Sequence, residues 1–208
     1  MNVILGIDFD NTIVSYDDVM YKKALSSGLI TAMIQKNKKA IRDHLRQLED
    51  GEVKWQELQA FAYGKGIDKA QLMKGVQKFL KKSRDANIDF FIVSHKTNFA
   101  SMDKEKINLR DTALNWMKKN QFFTKNGIDL SLKQIFFEFT REEKINRIKQ
   151  LKCTHFIDDL EETFLEKAFP ENVKKMLYCP LALETSINNI KIFQSWDQIN
   201  EYFFAKRR

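Results

Sequence analysis

Apolar residues fall in short runs, at Val3 to Ile7, Phe90 to Val93, Gln134 to Phe137, His155 to Ile157 and Lys175 to Tyr178. Between them, apolar positions recur at helical spacing. Helices are expected over Lys104 to Lys119, over Arg141 to Leu151 after Thr140 as N-cap, over Glu161 to Ala168, and over Trp196 to Phe204 after Ser195. Strands alternating with helices predict an α/β fold: a parallel five-stranded sheet with helices on both faces.

The interval between the first two strands breaks this rhythm. Tyr16 to about Gly66 carries several amphipathic helices, and another is expected over Lys69 to Lys82. A crossover between parallel strands needs only one helix. The expected organisation is therefore a core domain of residues 1–14 and 84–208 and a small helical insertion, 15–83, forming a cap. Gly64, Gly66 and the Ser26-Ser27-Gly28 cluster are its main breakers.

Composition narrows the picture. The chain has 208 residues, enough for one full core and an appendage. No apolar stretch approaches the roughly 20 residues of a membrane span, and no signal-type start is visible, so the cytoplasm is expected and no membrane partner is. Cys153 and Cys179 lack CxxC spacing and read as free thiols. The net charge of +7 favours an anionic partner. Lysine is spread along the whole chain, however, with no basic-aromatic track, and nucleic acid is not expected as a partner.

Chemistry gathers where apolar runs stop. In "GIDFDNTIV", Asp8 and Asp10 are two residues apart after the first run and share one side of the extended chain. The second run ends at Ser94-His95-Lys96-Thr97, the fourth at Asp158-Asp159, and Lys144 lies in the first turn of the helix after the third. In an open parallel sheet, the carboxyl ends of the strands border the ligand crevice. Three or four carboxylates meeting there require a cation or shared protons. Oxygen-only ligands suit Mg²⁺. A metal, a lysine and a hydroxyl around carboxylates suit a phosphoryl group.

The order DFDNT, strand-terminal Ser, Lys, IDD resembles the haloacid dehalogenase superfamily of phosphohydrolases, and the helical insertion resembles its type 1 cap. The resemblance spans Val3 to about Tyr178 and implies a Rossmann-like core. It implies that Asp8 is the nucleophile and forms an aspartyl-phosphate, and that Asp10 protonates the leaving oxygen and then activates water. Ser94 would bind a phosphoryl oxygen, and Lys144 would offset the charge of nucleophile and phosphate. Asp158 would bind Mg²⁺ beside Asp8, joined by the Asp10 backbone carbonyl and by Asp159, which either binds directly or orients water. Thr12 would shape the loop after the nucleophile. The second Asp points to an oxygen leaving group, because halide needs no proton.

His95 and Lys96 follow Ser94 closely enough to reach a substrate, and Tyr16, just after the first motif, is placed to face the crevice. His95 and Lys96 read equally as solvent-facing loop residues. Trp55, Phe61 and Tyr63 have the spacing of a helix core. His44 and His155 lack a second metal ligand at suitable spacing and read as structural. Arg42, Arg46 and Lys54 read as a solvated helix face. Phe136 to Glu162 is similar to a bacterial subgroup associated with surface-carbohydrate pathways, which makes a sugar phosphate the first expectation for the small phosphorylated substrate and a nucleotide monophosphate the second. Other readings are a metal-dependent nuclease and a phosphoryl-accepting or binding module.

Overall fold

The computed structural model describes residues 2–181 and 189–205. In chain order the elements are β1 (Ile4–Ile7), β2 (Val14–Ser15), α1 (Asp17–Ser26), α2 (Lys38–Leu45), α3 (Gly51–Tyr63), β3 (Gln71–Leu72), α4 (Val76–Asp85), β4 (Asp89–His95), α5 (Leu109–Lys119), β5 (Ile135–Glu138), α6 (Arg141–Gln150), β6 (His155–Asp158), α7 (Glu161–Leu165), β7 (Lys174–Tyr178), β8 (Ile190–Phe193) and α8 (Trp196–Phe204). The chain divides into two compact units: Met1–Val14 with Leu72–Lys96 and Asn120–Arg208, and Ser15–Gln71 with Thr97–Lys119.

The first unit is built on a six-stranded sheet in the order β5-β4-β1-β6-β7-β8, and all its pairings are parallel. The α/β class is as expected, but the sheet has six strands instead of five. The sixth, β8, escapes a search for apolar runs because it is a short edge strand, IKIF, interrupted by Lys191, and Lys191 and Ile192 are exposed. The central strand β1 is buried, as its apolar run requires, with Leu5 and Ile7 fully covered. Its Gly6 allows the Phe156 ring to come close: a Cβ there would sit 2.5 Å from Phe156 Cδ2.

Ile7, the last residue of β1, pairs with Ile92 of β4 and with Ile157 of β6, and both neighbours run on, to His95 and Asp158, alongside the loop after β1. The loop after β1 is tied down from below. Trp196, fully buried at the start of α8, donates from Nε1 to Thr12 O at 2.9 Å, and packs on Phe79 of α4. Helices α6 and α8 start at the side-chain caps expected for them. Thr140 Oγ1 accepts from Glu143 N, and Ser195 Oγ accepts from Gln198 N.

The second unit holds α1, α2, α3 and α5 around Met20, Ile41, Leu45, Trp55, Leu58, Trp116 and Met117. Trp116 Nε1 donates to Ala70 O at 3.0 Å. The second unit starts at Ser15, as a 15–83 insertion would, but its first segment ends at Gln71 and it gains Thr97–Lys119. Helix α4 packs its Phe79 on Trp196 and belongs to the first unit, whereas α5, expected as a core crossover helix, belongs to the second. Two helices also start later than expected. Gly75, with φ +93°, precedes α4 and stops it from extending back to Lys69. Asn108 Oδ1 accepts from Arg110 N and Asp111 N at the start of α5, after a turn in which Asp103 accepts from Glu105 N and Ile107 N. The helix after β6 stops at Leu165, short of Ala168.

Candidate active site

The carboxyl ends of β1, β4 and β6 and the first turn of α6 bring Asp8, Ser94, Lys144 and Asp158 together. Asp8 N donates to Ile157 O at 2.9 Å, continuing the β1–β6 ladder past the end of β1. Asp8 is buried, and its Oδ1 accepts from Ser94 Oγ at 2.9 Å and Lys144 Nζ at 2.6 Å. Lys144 comes from the first turn of α6 and also donates to Asp158 Oδ2 at 2.7 Å. Asp158 is fully buried, and its Oδ1 accepts from Leu160 N, which turns the chain towards α7. Among the described residues, no donor bonds Asp8 Oδ2.

Asp10 is held separately. Asn11 takes φ +58°, a left-handed conformation that Asn tolerates, and bends the chain just after it. Lys96 Nζ lies 3.0 Å from Asp10 Oδ1 and 2.8 Å from Oδ2. Thr12 is buried, and its Oγ1 donates to Asp159 Oδ1 at 3.4 Å, linking the first motif to the last.

Burial of these charges governs their protonation. Removal from water pushes the Asp8 carboxyl up to about 6; Lys144 opposes this, and Asp158 and Asp10 add to it. Burial alone would depress the Lys144 ammonium, but Asp158 and Asp8 outweigh it and raise it above the ordinary lysine value. Oxygens of Asp8, Asp158 and Asp159 come within 4.8 Å of one another, as shared binding of one ion requires. Four carboxylates, those of Asp8, Asp10, Asp158 and Asp159, face two ammonium groups, those of Lys96 and Lys144. If all six are ionised, two negative charges remain, which fits a hard divalent cation with oxygen ligands. The Asp10 carboxylate is outside this cluster of three because it turns to Lys96.

The remaining sequence candidates separate. His95 is exposed at the end of β4, while Lys96 beside it is buried. The side chain of Lys96 thus turns inward onto Asp10. Tyr16 belongs to the second unit, where it is fully buried and sits edge-on to Tyr63 with ring centroids 4.7 Å apart. It is packed as core there, not displayed to a ligand. His155 is buried too, its Nδ1 2.8 Å from Thr154 Oγ1 and its ring against Phe203, in keeping with a structural role.

No protein-family model matches the chain, and no curated protein sequence does either. Solved structures do. A haloacid dehalogenase-like hydrolase from Streptococcus pneumoniae superposes with a TM-score of 0.60 at 14% identity, covering 98% of this chain and 99% of that one. The fold is that of the haloacid dehalogenase-like hydrolases. A family IA member from Entamoeba histolytica gives a TM-score of 0.56 at 13% identity over 95% of both chains. A dehalogenase in an intermediate complex gives 0.58 at 12% identity, covering all of this chain and 98% of the other.

Proposed function

We propose that this chain is a haloacid dehalogenase-type hydrolase, and specifically a Mg²⁺-dependent phosphatase acting on a small phosphorylated metabolite. The observation that carries the reading is the buried Asp8 carboxylate, bonded through one oxygen to Ser94 and Lys144, with a second carboxylate, Asp10, following two residues later. Asp8 attacks phosphorus. As its bond to phosphorus forms, the bond to the ester oxygen breaks, and Asp10 delivers a proton to that oxygen. In the second half, Asp10 takes a proton from water, which attacks phosphorus and releases inorganic phosphate from Asp8.

Lys144 holds the nucleophile in place and offsets charge on the transferring group, and Ser94 supplies a hydroxyl donor beside it. The Asp8, Asp158 and Asp159 carboxylates and the Asp10 carbonyl would hold a magnesium ion, whose positive charge would offset that of the phosphoryl oxygens and the crowded acids. Thr12 fixes the loop through Asp159. A dehalogenase would share the Asp nucleophile, but halide leaves without a proton and gives Asp10 no task. Sugar phosphates are the first substrate class and nucleotide monophosphates the second, with the cytoplasm as the place of action. No helix among the described residues is long and apolar enough to cross a membrane.

The test is release of inorganic phosphate from sugar phosphates, nucleotides and an aryl phosphate, with Mg²⁺ or with chelator, alongside halide release from a haloacid. Metal-dependent phosphate release by the wild type, lost in Asp8→Asn, is expected. Halide release without phosphate release would overturn the reading in favour of a dehalogenase. Silence on every substrate would shift it to a phosphoryl-accepting or binding module.

A further inference from the structure

The phosphatase reading gives tasks to Asp8, Asp10, Ser94 and Lys144, and leaves one buried charge unused: Lys96. We propose that Lys96 is a positioning residue, whose ammonium fixes the Asp10 carboxylate in the orientation from which it exchanges protons with the leaving oxygen and the attacking water. The inference rests on the phosphatase reading.

Four observations carry it. Lys96 N donates to Glu138 O at 2.8 Å, extending the β4–β5 ladder one residue past the end of β4 and fixing the backbone from which the side chain departs. Its side chain is 1% exposed, and its ammonium contacts both Asp10 oxygens. The ammonium lies over the buried Phe9 ring, 5.6 Å from its centroid, so the cation has an aromatic face on one side. The Asp10 side chain, in contrast, keeps 16% exposure. Its carboxylate is thus gripped by a deeply buried cation and still reached by solvent.

A buried lysine is an expensive way to fill apolar space. An aliphatic side chain over Phe9 would do so without desolvating a charge. The expense makes sense if Asp10 must not rotate. Proton transfer to a leaving oxygen requires hydrogen-bond reach, and a carboxylate on a loop that also contains a left-handed residue has other rotamers to visit. Alternation along β4 makes the parallel with the first motif explicit. Asp8 and Asp10 are two residues apart on one segment, Ser94 and Lys96 two apart on the next, and Ser94 bonds Asp8 while Lys96 bonds Asp10. The nucleophile and the proton carrier each have their own partner from the same strand end.

The experiment compares wild type, Lys96→Met, Lys96→Gln and Asp10→Asn on aryl phosphates from dinitrophenyl phosphate, whose leaving group needs no proton, to phenyl phosphate, whose leaving group does. Lys96→Met should lower kcat/KM, which runs only as far as leaving-group release, by about 100-fold on phenyl phosphate and by less than about 3-fold on dinitrophenyl phosphate, while kcat, which includes attack by the Asp10-activated water, falls on both. Lys96→Gln, which keeps a donor, should fall between. Combining Lys96→Met with Asp10→Asn should cost no more than Asp10→Asn alone, because both act on one group. An equal loss of kcat/KM on every ester, no loss, or a multiplicative loss in the double variant would overturn the assignment while the phosphatase reading stands. If Lys96→Met does not fold, Lys96→Gln must show the same dependence on leaving group, and its absence there overturns the assignment. A wild type inactive on every ester would instead overturn the phosphatase reading, and the role of Lys96 with it.

Discussion

Two ion pairs of identical length sit in the two units of this molecule. Lys144 and Asp8 are 2.6 Å apart in the first, with side chains 3% and 7% exposed; Lys119 and Asp68 are 2.6 Å apart in the second, at 60% and 58%. Distance alone would rank them equal. Surroundings decide otherwise. Water and salt screen the exposed pair, and holding two long side chains together costs entropy, so it contributes little. The buried pair has given up its hydration, and each partner is the other's replacement for water. Other pairs of the second unit, such as Lys22–Asp18, Lys65–Glu105 and Arg46–Glu52, follow the exposed pattern. The deeply buried charges of the first unit gather at one set of strand ends. The first unit has exposed pairs as well, such as Lys78–Asp197 and Arg141–Glu166, so what sets it apart is the buried group at its strand ends, to which the proposed function gives its chemistry.

The sharpest way to break this contrast is to remove one buried partner. Lys144→Met leaves Asp8 and Asp158 buried without their cation, and should cost about 3–5 kcal/mol in urea unfolding at neutral pH. Adding Asp8→Asn to that variant should recover part of the loss, because the uncompensated charge goes with it. A cost below about 1 kcal/mol would mean that the pair is solvated after all.

A buried titratable group with no carboxylate partner sharpens the comparison from the other side. Burial, then the charges of Lys174 and Lys191, depress the His155 imidazole from 6.5 to about 4. Below pH 6.5 the unfolded chain takes up a proton that the folded chain resists. The stability His155 contributes is therefore present above 6.5 and lost as pH falls towards 4, by about 1–3 kcal/mol. Asp8, raised to about 6, slopes the opposite way: its contribution is full below its ordinary 3.8 and fades as pH rises through 6. Comparing wild type with His155→Phe by urea unfolding at pH 7 and pH 4.5 cancels that background. The variant should lose less stability between the two values.

The smallest effect belongs to the exposed pair. Lys119→Met should shift unfolding by no more than about 0.5 kcal/mol. A cost comparable to that of Lys144→Met would erase the distinction between the units.

Much of the first unit can be read from the chain, because its strands are buried on both faces and announce themselves as apolar runs. Val3 to Ile7 and His155 to Ile157 are visible for that reason, and so are the acids that end them. The edge strand Ile190–Phe193 is half-wetted and offers no such run. Helix edges slip where local hydrogen bonds override periodicity, as Asn108 does for α5 and Gly75 for α4. The grouping of α5 with the second unit depends on contacts such as Trp116 with Ala70, distant along the chain, which periodicity does not encode. At the site, the spacing of Ser94 and Lys96 already contained the inward turn of Lys96, since residues two apart on a strand share a side. Lysine's usual place in solvent concealed it. Tyr16 follows the first motif closely, but its burial against Tyr63 needs the partner helix to be seen.

The central claim is that Asp8 is a nucleophile. Its most direct test is rapid acid quench of wild type turning over an active phosphate ester with Mg²⁺, followed by mapping of phosphorylated peptides. A phosphoryl group on Asp8, removed by hydroxylamine and absent from Asp8→Asn, is the predicted result. Phosphate release that continues in Asp8→Asn, or turnover with no adduct on Asp8, would contradict it.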